Sequence, residues 1–461
     1  MEKEASKLNY EKLTVYEKAG DSIAKEAYAY SEGYKEFLDK AKTEREAVTE
    51  GIRIAEANGF VPYTFGIAMN PGDKFYYNNR GKSLFLFTIG TEDIQNGIRI
   101  SVAHVDAPRL DLKPVPLYEE GGMAFFKTHY YGGIRKYQWV TVPLALHGVI
   151  VKADGTTVTV SVGENEEDPI FYINDLLPHL SRESNTKPIG TAIPGEKLNV
   201  LVGSTKDDES IKHNLLRILN EKYAITEEDF LSAELSVVPA AKARDIGFDR
   251  SLIGAYGHDD RVCAYPAMTS LLACTDSQHT LMAIFADKEE TGSDGISGMQ
   301  CELILDLINE ISHARGGNPA VVRAHSKCLS ADVSACYDPN FADVFEKNNS
   351  CLLNCGVVLT KYTGSGGKSG TNDASAEYIG WLRSIMAKDA VVWQAGELGK
   401  VDGGGGGTVA SSLPSTTLKP WISVYRLSRC TRRWRLFPKS ISMKRTEPSA
   451  LSTNTDPHYF K

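Results

Sequence analysis

The sequence predicts an α/β protein with two parts: a split α/β/α domain on a central, mostly parallel sheet, and a β-rich domain inserted into it. Three observations support this fold class. Helical and buried-strand patterns alternate before about residue 110 and again after about residue 245. The stretch between them shows short strand patterns instead, and 461 residues are enough for more than one domain. We therefore expect the split domain at 1–110 and 246–410, the insertion at 111–245, and a separate tail at 411–461.

The first part of the split domain reads as helix followed by strand. Apolar residues recur among Glu and Lys at helical spacing until Asn58-Gly59, which is a stop signal. Strand patterns follow at 82–89 and 98–105. The sheet of the split domain is therefore expected to begin here.

The insertion and the second part differ in texture. Within the insertion we predict strands at 138–146, 148–151 and 157–162 and a helix at 212–220. The second part alternates helix and strand again, with predicted elements at 261–274, 281–286, 298–314 and 374–387. This return to alternation is the reason for calling the α/β domain split.

Composition narrows the class of function. The formal net charge of -8 argues against nucleic-acid binding, because little basic surface is available to neutralise phosphates. The polar N-terminus and the lack of a long apolar run predict a cytoplasmic protein with no membrane partner. All eight cysteines lie from Cys263 onward without Cys-x-x-Cys spacing, so buried free thiols are expected rather than disulfides. Cys351 and Cys355 are the closest pair along the chain.

Two predicted strand ends carry potential metal ligands. His104 and Asp106 are two residues apart, so both side chains project from the same side of the strand, and the carboxylate can fix the imidazole tautomer. Asp332 ends another apolar stretch. A satisfied core histidine is the alternative interpretation of His104. Asp332 alone indicates little.

Paired carboxylates stand at two further positions. Asp259 and Asp260 precede a predicted helix, where a helix N-cap is the alternative explanation. Glu289 and Glu290 follow the predicted strand 281–286, at the sheet edge where ligands bind in open α/β sheets. One glutamate can bind metal while its neighbour takes a proton from water, although a solvated acidic turn is the alternative. Together, the four positions predict a hydrolase with two divalent metal ions.

These motifs resemble, in order and spacing, the aspartyl aminopeptidase family of zinc metallopeptidases. The matching blocks are HVDAPR (104–109), DDR (259–261), DKEETGS (287–293) and SAD (330–332). The segments THYYGG (128–133) and GSGGK (364–368) are similar to the bacterial branch. The resemblance covers roughly residues 5–410.

The resemblance implies a metal-dependent aminopeptidase that releases N-terminal residues from peptides by water activated between two ions, zinc or alternatively manganese or cobalt. It implies that the ligands are His104 and Asp332 on one ion, Asp259 between the ions and Glu290 on the second, with Glu289 as general base and Asp106 orienting His104.

Partners and substrate contacts are implied in the same way. The inserted domain is expected to dimerise subunits, dimers to assemble into a dodecamer, and His179 to reach a neighbouring active site. Lys368, with Lys361 and Arg109 as alternatives, is a candidate partner for a substrate carboxylate. The preferred N-terminal residue stays open.

The tail departs from the family pattern. The family has a fifth ligand, a histidine in a Leu-Ser-Met-His block after a glycine-rich loop, whereas after Ala410 this chain has only His458. Residues 411–461 hold 10 of the 51 Lys and Arg but 2 of the 59 Asp and Glu, so the formal charge changes from -16 before this point to +8 after it. A back-translation of 428–434, read one nucleotide earlier, permits Ser-Met-His-Ala-Pro-Met.

We therefore predict a reading-frame error near Ala410, a poorly packed tail in which a folded strand and a helix are lost, and one missing metal ligand. A natural basic extension is the alternative for the tail. A catalytically impaired or silent member of the family, with a scaffold or assembly role, is the alternative function.

Overall fold

The computed structural model describes residues 8–364, 366–369, 373–405, 422–429 and 435–438, the last two ranges as backbone. The chain divides into two compact units. The first unit consists of Met1–Asp106 together with Ala243–Lys461, and the second consists of Ala107–Lys242.

The helices number eight in the described ranges. In the first unit they are α1 (Val15–Lys40), α2 (Glu44–Glu56), α5 (His258–Ala273), α6 (Leu303–Ala314), α7 (Pro319–His325) and α8 (Ala376–Lys388), and in the second unit α3 (Ile189–Ala192) and α4 (Ile211–Tyr223). Helices α1 and α2 each begin with a capping box, Thr14 with Glu17 and Thr43 with Glu46, which satisfies amide groups of the first turn.

Twelve strands belong to the first unit. They are β1 (Val61–Pro62), β2 (Lys74–Asn79), β3 (Ser83–Thr88), β4 (Arg99–His104), β11 (Arg244–Ile246), β12 (Leu252–Ala255), β13 (Leu281–Ala286), β14 (Lys327–Ala335), β15 (Val357–Thr360), β16 (Trp393–Ala395), β17 (Ile422–Arg429) and β18 (Arg435–Pro438). Nine of them form one sheet in the order β1-β2-β3-β13-β4-β14-β17-β15-β16, and β11-β12-β18 form another.

The nine-stranded sheet is mixed and rich in parallel pairs. Strands β13, β4, β14 and β17 are parallel neighbours, so their carboxyl ends meet at one edge. Residues of β13 alternate between two cores: Leu281, Ala283 and Phe285 pack with α1, α2 and α5, and the residues between them pack with α6 and α7. A sheet covered on both faces requires such continuous apolar strands. The predicted α/β/α fold class is confirmed.

Strand β17 corrects one expectation about the tail. We predicted that the strand after residue 410 would be lost, but Ile422–Arg429 lies between β14 and β15 and pairs with both. Its sequence contains the strand-favouring residues Ile422, Val424 and Tyr425, and its pairing satisfies backbone groups of β14 and β15 that would otherwise be open. Apart from β17 and β18, the residues after Gly405, including His458, lie outside the described part of the chain.

The second unit is built on an antiparallel sheet. Its strands are β5 (Arg109–Glu120), β6 (Met123–Tyr131), β7 (Leu144–Val151), β8 (Thr157–Val162), β9 (Val200–Gly203) and β10 (Ala233–Pro239), in the order β8-β7-β10-β5-β6-β9. The strand predicted at 138–146 begins only at Leu144, and β7 then continues without a break through the separately predicted strand at 148–151. Thr141 has φ 58°, a left-handed conformation that no strand contains, and Pro143 follows it.

Within the described residues, we find no helix that has both the length and the apolar content needed to cross a membrane.

Candidate metal centre

The carboxyl edge of the nine-stranded sheet gathers the predicted ligands. His104 is the last residue of β4, and Asp332 lies near the end of its parallel neighbour β14. Asp259 stands at the start of α5, which packs against β4, β13 and β14. Glu289 and Glu290 form a short 3-10 turn soon after β13. Parallel pairing therefore brings together side chains from distant parts of the sequence.

Three of these side chains form one cluster. His104, Asp259 and Asp332 each offer a ligand atom, and these atoms lie within 4.8 Å of one another. Nε2 of His104 is 3.1 Å from Oδ1 of Asp259 and 3.8 Å from Oε2 of Glu289. All three members of the cluster are buried. It is the one such group in the part of the chain that the structure describes, and Glu290 is not a member of it.

Asp106 links His104 to the glutamate turn. Its carboxylate is fully buried, with Oδ1 3.3 Å from Nδ1 of His104. The same carboxylate accepts hydrogen bonds from the backbone N–H groups of Glu289, at 3.2 Å, and Glu290, at 3.1 Å. One side chain therefore contacts both the imidazole and the turn that carries the two glutamates.

The segment before α5 is held by buried polar contacts. Tyr34 Oη lies 2.8 Å from Nδ1 of His258, and the other ring nitrogen lies 3.2 Å from the carbonyl of Ile253. Gly257 has φ 80°, and a Cβ there would lie 1.7 Å from Nη1 of Arg261. The buried guanidinium needs this space, so a glycine is required at the turn that presents Asp259.

Burial shifts the acids of this edge toward their neutral forms. It raises the pKa of Glu290 to about 7, with repulsion from Asp106 and Glu289 adding to the effect and His104 opposing it. Burial and then the nearby Asp332 raise the pKa of Asp260 well above its usual range. Burial also raises the pKa of Asp287 to about 6, with further repulsion from Glu44 and Asp106. These carboxyl groups therefore have too little positive charge near them to keep them ionised.

At His104 the surroundings favour the charged form instead of the neutral one. Burial by itself would lower the pKa of its imidazole, but the hydrogen bond to Asp106 and the negative charges around it raise that pKa well above 6.5. A protonated imidazole would carry a positive charge that partly offsets the negative charges of the surrounding carboxylates.

The residues present fit zinc. Imidazole nitrogen and carboxylate oxygen are donors that zinc accepts, and three protein donors leave further positions open. Both carboxylate oxygens of Asp260 are buried, and within the described ranges no hydrogen bond of normal geometry reaches them. Buried carboxylates without partners are costly unless a cation neutralises them. A divalent ion beside His104 would meet this need.

The two predicted substrate residues are His179 and Lys368. His179 is exposed in a 3-10 turn of the second unit. Lys368 lies in the first unit, with Nζ 3.1 Å from Oδ2 of Asp373 and 3.7 Å from the ring centre of Tyr362. Lys368 and Lys400 line a pocket between the loop after β15 and the glycine-rich loop. Arg109, the alternative, is already bonded to Asp111 at 2.7 Å.

Sequence reasoning missed part of this arrangement. The contact of Asp106 with the glutamate turn depends on two backbone N–H groups, which no residue pattern reveals. The burial of Asp260 was also missed, although an adjacent pair of acids before a helix was a usable signal.

The comparisons with known proteins agree with this geometry. Residues 37–419 match the profile of the family described as aminopeptidase I zinc metalloprotease (M18). A probable M18 family aminopeptidase 1 from Clostridium acetobutylicum is 50% identical over 411 residues, which cover 86% of this chain and 88% of that protein.

Solved structures are similar over almost the whole chain. The crystal structure of an M18 aminopeptidase from Thermotoga maritima superposes with a TM-score of 0.90 at 40% identity, covering 96% of this chain and 99% of that one. The mApe1 dodecamer of S. cerevisiae has a TM-score of 0.74 at 20% identity, covering 92% of this chain and 96% of that one. At this identity the second likeness supports the fold alone.

Proposed function

Because this chain belongs to the M18 family of zinc metalloproteases, we propose that the cluster of His104, Asp259 and Asp332 is the centre at which it releases N-terminal residues from peptides. The chain is a metalloaminopeptidase, a hydrolase of peptide bonds. The observation that carries the proposal is the convergence of three buried donors at the carboxyl edge of the sheet.

Each residue receives a role. In the proposal, His104 and Asp332 would hold one zinc ion, Glu290 would hold a second, and Asp259, which clusters with His104 and Asp332, would contribute to both. Bound zinc supplies Lewis-acid polarisation of the peptide carbonyl and a lowered pKa for water.

Glu289 is the general base. Its carboxylate lies 3.8 Å from Nε2 of His104 and is 18% exposed, so water and substrate can reach it. It takes a proton from the attacking water and returns it to the leaving amine. Asp106 holds His104 and the backbone of the glutamate turn in place.

Substrate contacts come from two regions. In the proposal, Lys368 binds a carboxylate of the substrate from the pocket beside the glycine-rich loop. His179 acts from the exposed turn of the inserted unit and reaches the centre of a neighbouring subunit. The proposal includes an assembly in which the inserted unit forms dimers and the dimers build a dodecamer. A cytoplasmic location is part of the proposal.

The tail bears on activity. We keep the hypothesis that residues after about 410 are read out of frame, since the glycine-rich loop is followed by no histidine until His458. Resequencing the gene across the codons for 403–435 tests it. An inserted or deleted base would restore the Ser-Met-His block, whereas an unbroken frame would favour the impaired alternative.

A peptidase assay tests the function itself. The full chain, loaded with zinc, manganese or cobalt, is incubated with a peptide that has a free N-terminus and with the same peptide acetylated. Release of the first residue from the free peptide alone is expected. Zinc binding without any turnover would favour a silent scaffold, and cleavage of the acetylated peptide would contradict an aminopeptidase.

A further inference from the structure

Two cysteines that are 15 residues apart in sequence meet at the carboxyl end of β14. The sulfur atoms of Cys336 and Cys351 lie 3.8 Å apart, and their residues face each other in an isolated parallel β-bridge. Cys336 follows β14 directly, and Cys351 precedes β15. Neither forms a disulfide, and Cys336 is 1% and Cys351 0% exposed.

From this geometry we infer that Cys336 and Cys351 form a dithiol site that peroxide converts to a reversible disulfide. Facing positions in a β-bridge bring two side chains together, which is what a disulfide requires. This pair differs from the two cysteines that are closest along the chain, Cys351 and Cys355. The site is independent of the metal centre and of the proposed function.

The reaction balances with hydrogen peroxide as the oxidant. The thiolate of one cysteine attacks a peroxide oxygen, the O–O bond breaks, and a sulfenic acid and hydroxide form; the proton that the thiol released on ionising converts the hydroxide to water. The second thiolate then attacks the sulfenic sulfur, the S–S bond forms, and hydroxide leaves and is protonated to water. Two thiols are oxidised, one peroxide is reduced, and two waters result. A dithiol reductant reverses the step.

Access to the sulfur atoms depends on the segment between them. Residues 337–350 are mostly exposed and include a 3-10 turn, Pro339–Val344. Segments of this kind open locally at lower cost than packed strands. Peroxide is close to water in size, so brief opening of this segment admits it.

The site lies beside β17. Ala335 pairs with Arg429 at the end of β17, and β15 pairs with the other side of that strand. A bond between Cys336 and Cys351 would therefore join the two neighbours of β17 just beyond its end. The oxidised chain is expected to unfold at a higher Tm than the reduced chain, because the bond restricts the unfolded state.

Peptide mapping tests the inference directly. The folded full chain is treated with hydrogen peroxide, remaining thiols are alkylated, and the chain is digested and analysed by mass spectrometry. The expected product is a peptide containing Cys336 linked to one containing Cys351, with the loss of about 2 Da and full reversal by a dithiol reductant.

Variants provide the controls. Cys336→Ser and Cys351→Ser should each abolish the linked peptide, and the half-buried Cys301→Ser should leave it unchanged. Mapping of the unsubstituted chain stands even if a variant fails to fold. A link between Cys351 and Cys355, oxidation to sulfinic acid without a link, or reduced Cys336 and Cys351 at a peroxide dose that oxidises Cys301 would each overturn the inference.

Discussion

The two ends of strands β4, β13 and β14 are similarly buried but carry opposite charge. At the amino end, Arg99, His279 and Lys327 come together, and burial lowers their pKa values to about 10, 4 and 8. At the carboxyl end, burial raises the pKa values of Asp260, Asp287 and Glu290. Burial disfavours the charged form in both places.

The ends differ in what surrounds the charges. Arg99 donates to the carbonyls of Asn96 and His325 at 3.2 and 3.3 Å, and its Nη2 lies 3.1 Å from Nε2 of His279. Lys327 lies 4.0 Å from the ring centre of Trp381. The basic end is thus completed by the protein itself. At the acidic end, no hydrogen bond of normal geometry reaches either carboxylate oxygen of Asp260 within the described residues, and cations from outside would neutralise its charge.

The largest expected effect is at Glu289, the proposed general base. Glu289→Gln should lower kcat about 1,000-fold, because the amide cannot take a proton from water. Zinc content should stay unchanged, since Glu289 is not part of the His104 cluster. Steady-state kinetics together with metal analysis measure both quantities. The exposed Glu166→Gln is the matched control, and a loss of zinc in Glu289→Gln would instead make this residue a ligand.

Zinc should stabilise the acidic end. With free zinc about 1,000 times above Kd, the free energy of unfolding should rise by about 4 kcal/mol relative to the chelated protein. Calorimetry with and without chelator measures the change in Tm. His279→Gln at the basic end should show the same zinc-dependent shift. A zinc effect that disappears in this variant would break the distinction between the two ends.

The basic end should respond to pH instead. The pKa of His279 is lowered from 6.5 to about 4, because burial and the charge of Arg99 disfavour its protonation. The unfolded chain therefore binds a proton that the folded chain does not, and stability falls as pH drops from about 6.5 to 4. The loss is about 3 kcal/mol.

His279→Gln should remove this part of the pH dependence. Urea unfolding at pH 7 and pH 4.5 compares the variant with the parent chain. An unchanged slope of stability with pH in the variant would show that the titration of His279 has no part in it.

The smallest expected effect is at Asp106. In Asp106→Asn the side-chain carbonyl can accept only one of the two backbone N–H groups of Glu289 and Glu290, and its contact with His104 weakens. We expect kcat to fall about 10- to 100-fold even at saturating zinc. Full recovery of kcat with excess zinc would assign Asp106 to His104 alone. The exposed Asp93→Asn serves as control.

Much of the fold could be predicted because its signals are local. The continuous apolar run at 281–286 and the helical spacing before Asn58 each mark one element, and the structure places strand and helix there. The strand predicted at 138–146 was placed too early, because the residue type of Thr141 does not reveal its left-handed backbone conformation. Strand β17 was not predicted, because the excess of Lys and Arg after residue 410 outweighed a short run with strand-favouring residues at 422–425.

The candidate site was predictable where chemistry follows strand ends. An apolar strand ends at His104, and another ends at Ala286, shortly before Glu289 and Glu290. The types and positions of these residues therefore indicate metal chemistry. The membership of the family is confirmed by the comparisons. Contacts made through backbone groups, such as those of Asp106, and encounters between distant residues, such as Cys336 and Cys351, depend on the packed fold and leave no pattern in the sequence.

The most direct test of a zinc centre at the acidic edge is an anomalous difference map from crystals of the full chain grown with zinc. We predict a peak between Nε2 of His104 and the carboxylates of Asp259 and Asp332, and a second beside Glu290. A map with no peak there, or with zinc bound only at another position, would contradict the assignment of this edge as the metal centre.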